Sequence, residues 1–364
     1  MEEEEEEVMV KEGLMASQRE IFSISGPIHL TSIDWNNAYH RTSVAACLVQ
    51  GVYILERDRQ QNRVGIKSQA ASWWESFHFS LSETLIDDSD HSIYGAVFAY
   101  KPHYSYHHTL HGYKLPPRHV IAFRGTIMKA HSRSRDLRLD IRCVRDSLHD
   151  STRFLHAMDV VQTTVANNGG VSAVWLAGHS LGAAVALLAG KTMTRNGFPL
   201  ETYLFNPPFS SVPIERIVKN EKLKHGIRFA GSLVKAGVAM AVKGRHHKGQ
   251  EDGPFEKLAS WIPYLYVNSE DPICSEYVGY FEHRKKMFEI GAGKIERIAT
   301  KNSLRNLLSG GGTSSSSSEP LHLLPSAYLT INTNRSPDFR RAHGIHQWWD
   351  PCFSGRYVLH QFPS

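Results

Sequence analysis

Val171-Ser172-Ala173-Val174-Trp175-Leu176-Ala177-Gly178-His179-Ser180-Leu181-Gly182-Ala183-Ala184-Val185-Ala186-Leu187-Leu188 decides the fold. Val171 to Ala177 is a nearly continuous apolar run, as expected of a strand covered on both faces in a parallel sheet. Leu181 to Met193 is rich in Ala and Leu and reads as a helix. Between them, Gly178-His179-Ser180-Leu181-Gly182 has the spacing G-x-S-x-G. On a strand–turn–helix junction this spacing sets the serine on a sharp turn, with its hydroxyl above the sheet edge. Three fixed positions recur by chance in roughly one chain in ten of this length. The setting therefore carries the reading, against a tight turn without chemistry.

Outward from this junction, strands and helices alternate. Val44, Cys47, Leu48, Val52 and Leu55 recur at three- and four-residue steps, which predicts a helix from Trp35 to about Gln61. Strands are expected at Ile93–Tyr100 and His119–Phe123, the second ended by Gly125. Asp150–Asn167 is amphipathic through Phe154, Met158, Val161 and Val165, and Asn168-Gly169-Gly170 stops it. Thr202–Phe205 and Tyr264–Val267 are further strands. The pattern predicts an α/β fold: a doubly wound, mostly parallel central sheet with helices on both faces. Residues 1–18 read as an acidic disordered tail and 19–364 as one domain. Within it, about 207–260 is helical and basic, expected as a cap, and 309–319 is a flexible Gly/Ser insertion.

A serine at its ordinary pKa is a weak nucleophile and needs an imidazole base oriented by a carboxylate. On this junction the partners are expected in the order Ser, acid, His. Asp271 follows the apolar run Tyr264–Val267, where a strand delivers a carboxylate to the sheet edge; Glu270 is its neighbouring fallback. Asp271 could instead cap the turn made with Pro272. The base must come from His283, His322, His343, His346 or His360. His283 stands in a charged helical stretch and His322 follows the serine run. His343 and His346 share a compact aromatic segment, and both stay open on residue pattern. For the oxyanion, the N–H of Leu181 is one expected donor. The N–H of Thr126, in the loop closing Val120–Thr126, is the other.

Composition narrows the classes. The chain has 364 residues, 41% of them hydrophobic, enough to bury a full core. Its 41 basic and 36 acidic side chains leave a net charge of +5, with the bases scattered, so no nucleic-acid partner is expected. Four dispersed cysteines without a CxxC pair argue against a disulfide framework or a structural zinc. The acidic start is unlike a secretory signal and no stretch suits a bilayer span, so a cytoplasmic protein is expected, with peripheral membrane contact as an option. His103, His107, His108 and His111 sit among Pro102, Gly112, Pro116 and Pro117, which favours surface histidines over a metal site. Trp73-Trp74 and Trp348-Trp349 are expected in the core before an acyl pocket, and Lys243–Lys248 as solvated charge.

Together these segments resemble the class 3 lipases. Phe123-Arg124-Gly125-Thr126 is similar to their oxyanion segment and Gly178–Gly182 to their nucleophile turn. Val267-Asn268-Ser269-Glu270-Asp271-Pro272 resembles their acid loop, and Ala342-His343-Gly344-Ile345 their histidine segment, which favours His343 over His346. The likeness runs from about Ser92 to Trp349 and departs at Trp348, where the family has tyrosine. Ile21–Pro27 and Ile33–His40 further resemble a plant group labelled GDSL esterase/lipase. The label's own motif is missing: Arg145-Asp146-Ser147-Leu148 lacks the glycine, and Asp88-Ser89-Asp90-His91 precedes it. The resemblance implies one α/β-hydrolase domain that hydrolyses acyl esters of lipids, without a cofactor. An acyltransferase using the same triad, and a lipase-like scaffold that binds a partner without turnover, are the alternatives.

Overall fold

The computed structural model describes residues 18–101, 114–127, 151–168, 170–209, 253–290 and 323–362. The expected acidic tail before Gln18, the bulk of the cap and the Gly/Ser insertion lie outside them. So do the His103–His111 cluster, Arg145–Leu148, Lys243–Lys248 and His322.

Among the described residues, eight strands form one sheet in simple sequence order. They are β1 (Phe79–Ile86), β2 (Ile93–Tyr100), β3 (His119–Phe123), β4 (Val174–His179), β5 (Glu201–Phe205), β6 (Tyr264–Asn268), β7 (Ala327–Asn332) and β8 (Gly355–His360). From β3 to β7 all neighbours pair in parallel, with antiparallel hairpin partners at both edges. Among the described strands the order never reverses, which departs from the doubly wound expectation. Helices that connect parallel strands laid down in one direction fall on one face, because each crossover is right-handed.

The packing follows that rule. Helices α2 (Thr152–Asn167), α3 (Leu181–Arg195), α4 (Gly253–Ser260) and α5 (Glu276–Glu289) all belong to the connections between parallel strands. Val161, Leu187, Leu258 and Phe281 meet Ile121, Leu176, Leu204 and Leu329 in one core. The opposite face is covered by the long helix α1 (Ala38–Gln60), whose Val44, Leu48 and Val52 pack on Val120, Ala122, Trp175 and Phe205. Asn37 caps α1 by accepting the N–H groups of Tyr39 and His40. Both faces are thus covered, the second by the N-terminal part of the chain. Trp73, Trp74, Trp348 and Trp349 are buried in that second core, as expected of packing residues.

The sequence-expected strands and helices lie within three residues of their expected bounds; the sheet edges differ. β1 escapes the period-two pattern because a bulge between Leu81 and Glu83 shifts its register. β8 is a half-exposed edge strand with no apolar alternation to announce it. Val171–Ala173 is a short 3-10 turn, so β4 begins at Val174 and runs to His179. Within the expected cap range, the described Gly253–Ser260 helix sends Leu258 into the core against α3.

Candidate active site

Ser180 sits where β4 passes into α3, with φ 55° and ψ −124°. A left-handed φ is costly for a residue with a Cβ and is kept only where the surroundings enforce it. Here the enforcement is steric. A Cβ at Gly182 would run into the carbonyl oxygens of Phe123 and Arg124, and one at Gly125 would stand 2.7 Å from the Ser180 Cβ. The start of α3 can therefore press against the end of β3 only because both glycines are bare. The Ser180 N–H donates to the Phe205 carbonyl at 2.9 Å, which ties the turn to the end of β5.

The same sheet edge receives the carboxylate and an imidazole. Asp271 follows β6, and His343 ends the short helix α6 (Phe339–His343), whose start Asp338 caps through the Arg341 N–H. Nδ1 of His343 and Oδ2 of Asp271 are 2.8 Å apart, and both residues are buried. Burial pushes the Asp271 carboxyl up, but His343, the Ile273 N–H and the Asn206 amide outweigh it and hold the group below its ordinary value. An ionised carboxylate only accepts, so Nδ1 of His343 is the donor and Nε2 is left unprotonated in the neutral ring. Among the described residues, neither Nε2 of His343 nor the Ser180 hydroxyl has a hydrogen-bond partner in the protein. Such contacts are often long before substrate binds.

The remaining candidates fall elsewhere. The ring of His346 lies against Gly344 and lines a separate cleft, and burial lowers its pKa to about 4. Glu270 accepts the Ser336 N–H and, among the described residues, bonds to no imidazole. His283 is buried on α5, and His360 stacks on Phe281 with centroids 4.6 Å apart. Thr126 is exposed in the loop after β3, and Leu181 opens α3. The N–H of neither donates to a protein acceptor among the described residues. Gly125, by contrast, has its N–H taken by the Tyr53 hydroxyl at 2.7 Å.

That last bond belongs to a chain of contacts absent from the sequence reading. Nε2 of His179 is 2.7 Å from the His343 carbonyl oxygen, which can only accept, so Nε2 carries the proton. Burial, and then the neighbouring His343, lower the His179 pKa to about 3, so the ring is neutral and its Nδ1 accepts. The Tyr53 hydroxyl, 2.8 Å away, donates to Nδ1 while accepting the Gly125 N–H. His179 thus connects the loop after β3 to the backbone of His343. On the other side, Asn206, at a left-handed φ of 46° after β5, donates through Nδ2 to Asp271. Its Oδ1 accepts the Trp348 indole N–H at 2.8 Å. Cys274, its thiol kept protonated chiefly by burial, donates to Asp271 at 3.1 Å. Asn206 and Cys274 could have been noted as polar residues at or just beyond strand ends; Tyr53, mid-helix, carried no local signal.

The sequence model of the lipase (class 3) family matches residues 120–210, from β3 through the serine turn to the end of β5. A relative in Arabidopsis thaliana, named GDSL esterase/lipase At4g10955, is 52% identical over 344 residues, covering 92% of this chain and 96% of that protein. The chain belongs to the class 3 lipase family. This family is one of α/β-hydrolases that act on lipid esters, and the single mostly parallel sheet accords with it. No solved structure matches. In this class 3 lipase Trp348 stands where the resemblance expected tyrosine, and its indole N–H holds the Asn206 that supports Asp271. Among the described residues no helix is long and apolar enough to cross a membrane.

Proposed function

We propose that this class 3 lipase hydrolyses acyl esters of lipids through an acyl-enzyme on Ser180, with His343 as base and Asp271 as its orienting carboxylate. The observation that carries the reading is the buried 2.8 Å contact between Nδ1 of His343 and Asp271 at the sheet edge that also holds the serine turn. Nε2 of His343 takes the Ser180 proton as Oγ attacks the ester carbonyl. The Thr126 and Leu181 N–H groups, which have no protein acceptor among the described residues, stabilise the oxyanion, with the dipole of α3 in support. The imidazolium then protonates the leaving alcohol. Water, activated by the same nitrogen, releases the acid and restores the serine. Asp271 stays ionised throughout and fixes the tautomer. The lipid or small acyl-ester substrate reaches one hydrolase domain, residues 19–364, that uses no cofactor.

The test is hydrolysis of short-chain nitrophenyl esters and of a lipid panel by wild type and Ser180→Ala. Turnover should fall to background in the variant with its melting temperature retained. Equal turnover in both would remove Ser180 from the reaction, and no turnover in wild type would favour a binding scaffold.

A further inference from the structure

A second cleft, of about 630 Å³, opens on the edge of the sheet where β7 ends. Its size lies in the range of small-molecule sites. Three features of its lining give it a chemistry. First, Arg19, Arg335 and Arg341 line it from three separate segments, and among the described residues none of the three guanidinium groups has an ion-pair or hydrogen-bond partner. Secondly, the carboxylates around it are already engaged by backbone. Asp338 accepts the Arg341 N–H, Asp350 the Cys352 N–H and Glu270 the Ser336 N–H. Thirdly, two of the cations act on each other: Arg19 is held below its ordinary pKa by burial and then by Arg341, with Asp338 opposing. Asp350 in the lining and Asp338 beside Arg19 offset part of this positive charge, and a bound anion would relieve the remainder. The rest of the lining includes apolar surface from Ile24, Ile28, Trp349 and Pro351, so the cleft is more than a solvated basic patch.

We infer that this cleft binds a phosphate ester, the phosphate held by Arg19, Arg335 and Arg341 and its organic part laid against Trp349 and Ile28. A guanidinium fork matches phosphate oxygens two at a time, and three arginines lining one cleft suit a group with three or four oxygens better than a carboxylate with two. The site is distinct from the proposed catalytic one: Ser180, Asp271 and His343 are not among its lining residues. It is nevertheless close to it in the chain. Gln347, which lines the cleft, donates to the carbonyls of Ala342 and Gly344 on either side of His343. Since β6 and β7 run parallel to β4, the cleft and Ser180 share the carboxyl edge of the sheet. A phospholipid headgroup held there would bring that edge to the lipid surface; a free phosphorylated metabolite would use the same groups.

The experiment measures binding of glycerol 3-phosphate by calorimetry. In parallel it measures co-sedimentation with phosphatidylcholine vesicles, with and without phosphatidic acid. Wild type is compared with Arg335→Gln/Arg341→Gln and with Arg356→Gln, a control on β8 that pairs with Glu282. All three arginines are exposed, so folding should survive, and melting temperature checks it. The double variant should lose affinity by at least about tenfold, as expected for removing hydrogen bonds to a charged group, while the control stays within twofold, roughly. Binding only to phosphatidic acid vesicles assigns the headgroup, and equal binding of glycerol 3-phosphate assigns a free ester; either supports the site if the double variant weakens it. Binding of neither probe, or equal loss in control and double variant, overturns it.

Discussion

The two halves of the proposed active site are held by different forces. The serine half is steric: a non-glycine residue at φ 55° persists because bare Gly125 and Gly182 let the β3 loop and α3 close around it. The acid–imidazole half is polar: Asp271 receives four donors, from His343, Asn206, Cys274 and the Ile273 N–H, in a buried setting. One device sets a position and the other sets a protonation state. Tyr53 and His179 join them, since one end of that chain touches the Gly125 N–H and the other the His343 carbonyl.

Substitutions separate the two devices. The largest expected effect is on the polar half. Asp271→Asn keeps the shape but can present an N–H to Nδ1, which favours the wrong tautomer; kcat should fall by about 10⁴-fold with little change in melting temperature. Steady-state kinetics beside thermal unfolding checks this, and a loss of folding instead would make the carboxylate a structural group. On the steric half the balance should reverse. Gly182→Ala forces the new methyl against the Phe123 carbonyl, so stability should drop by roughly 3 kcal/mol and activity with it. An alanine variant as stable as wild type would mean that the turn has slack. The joint is the subtlest case. Tyr53→Phe strips Gly125 of its acceptor and His179 of its donor, leaving two buried groups unsatisfied. A roughly tenfold lower kcat at constant KM is expected from the displaced donor loop. Tyr39→Phe, which removes a bond to the Trp349 carbonyl outside the site, should leave kcat unchanged.

The same contrast explains what the sequence made legible. Steric demands act over a few residues, so Gly178-His179-Ser180-Leu181-Gly182 and the apolar run before it announced the turn and its strand. Strand ends announce carboxylates almost as well, and Asp271 was expected on that ground after Tyr264–Val267. Polar demands act across the fold. His343 and His346 are three residues apart in one aromatic segment, and nothing local says which ring turns toward β6; the resemblance chose, and the structure pairs His343 with Asp271. Tyr53 is 126 positions from His179, so its role existed only once α1 lay on the sheet. The missing reversal in strand order was likewise invisible, because alternation of strands and helices is the same for either winding.

The proposed chemistry requires Ser180, His343 and Asp271 to converge. Its most direct test is the rate at which a fluorophosphonate labels Ser180, located by peptide mass, in wild type, His343→Ala and His346→Ala. Labelling should collapse in His343→Ala alone and persist in His346→Ala. Fast labelling of Ser180 in His343→Ala, or its loss only in His346→Ala, would contradict the assignment.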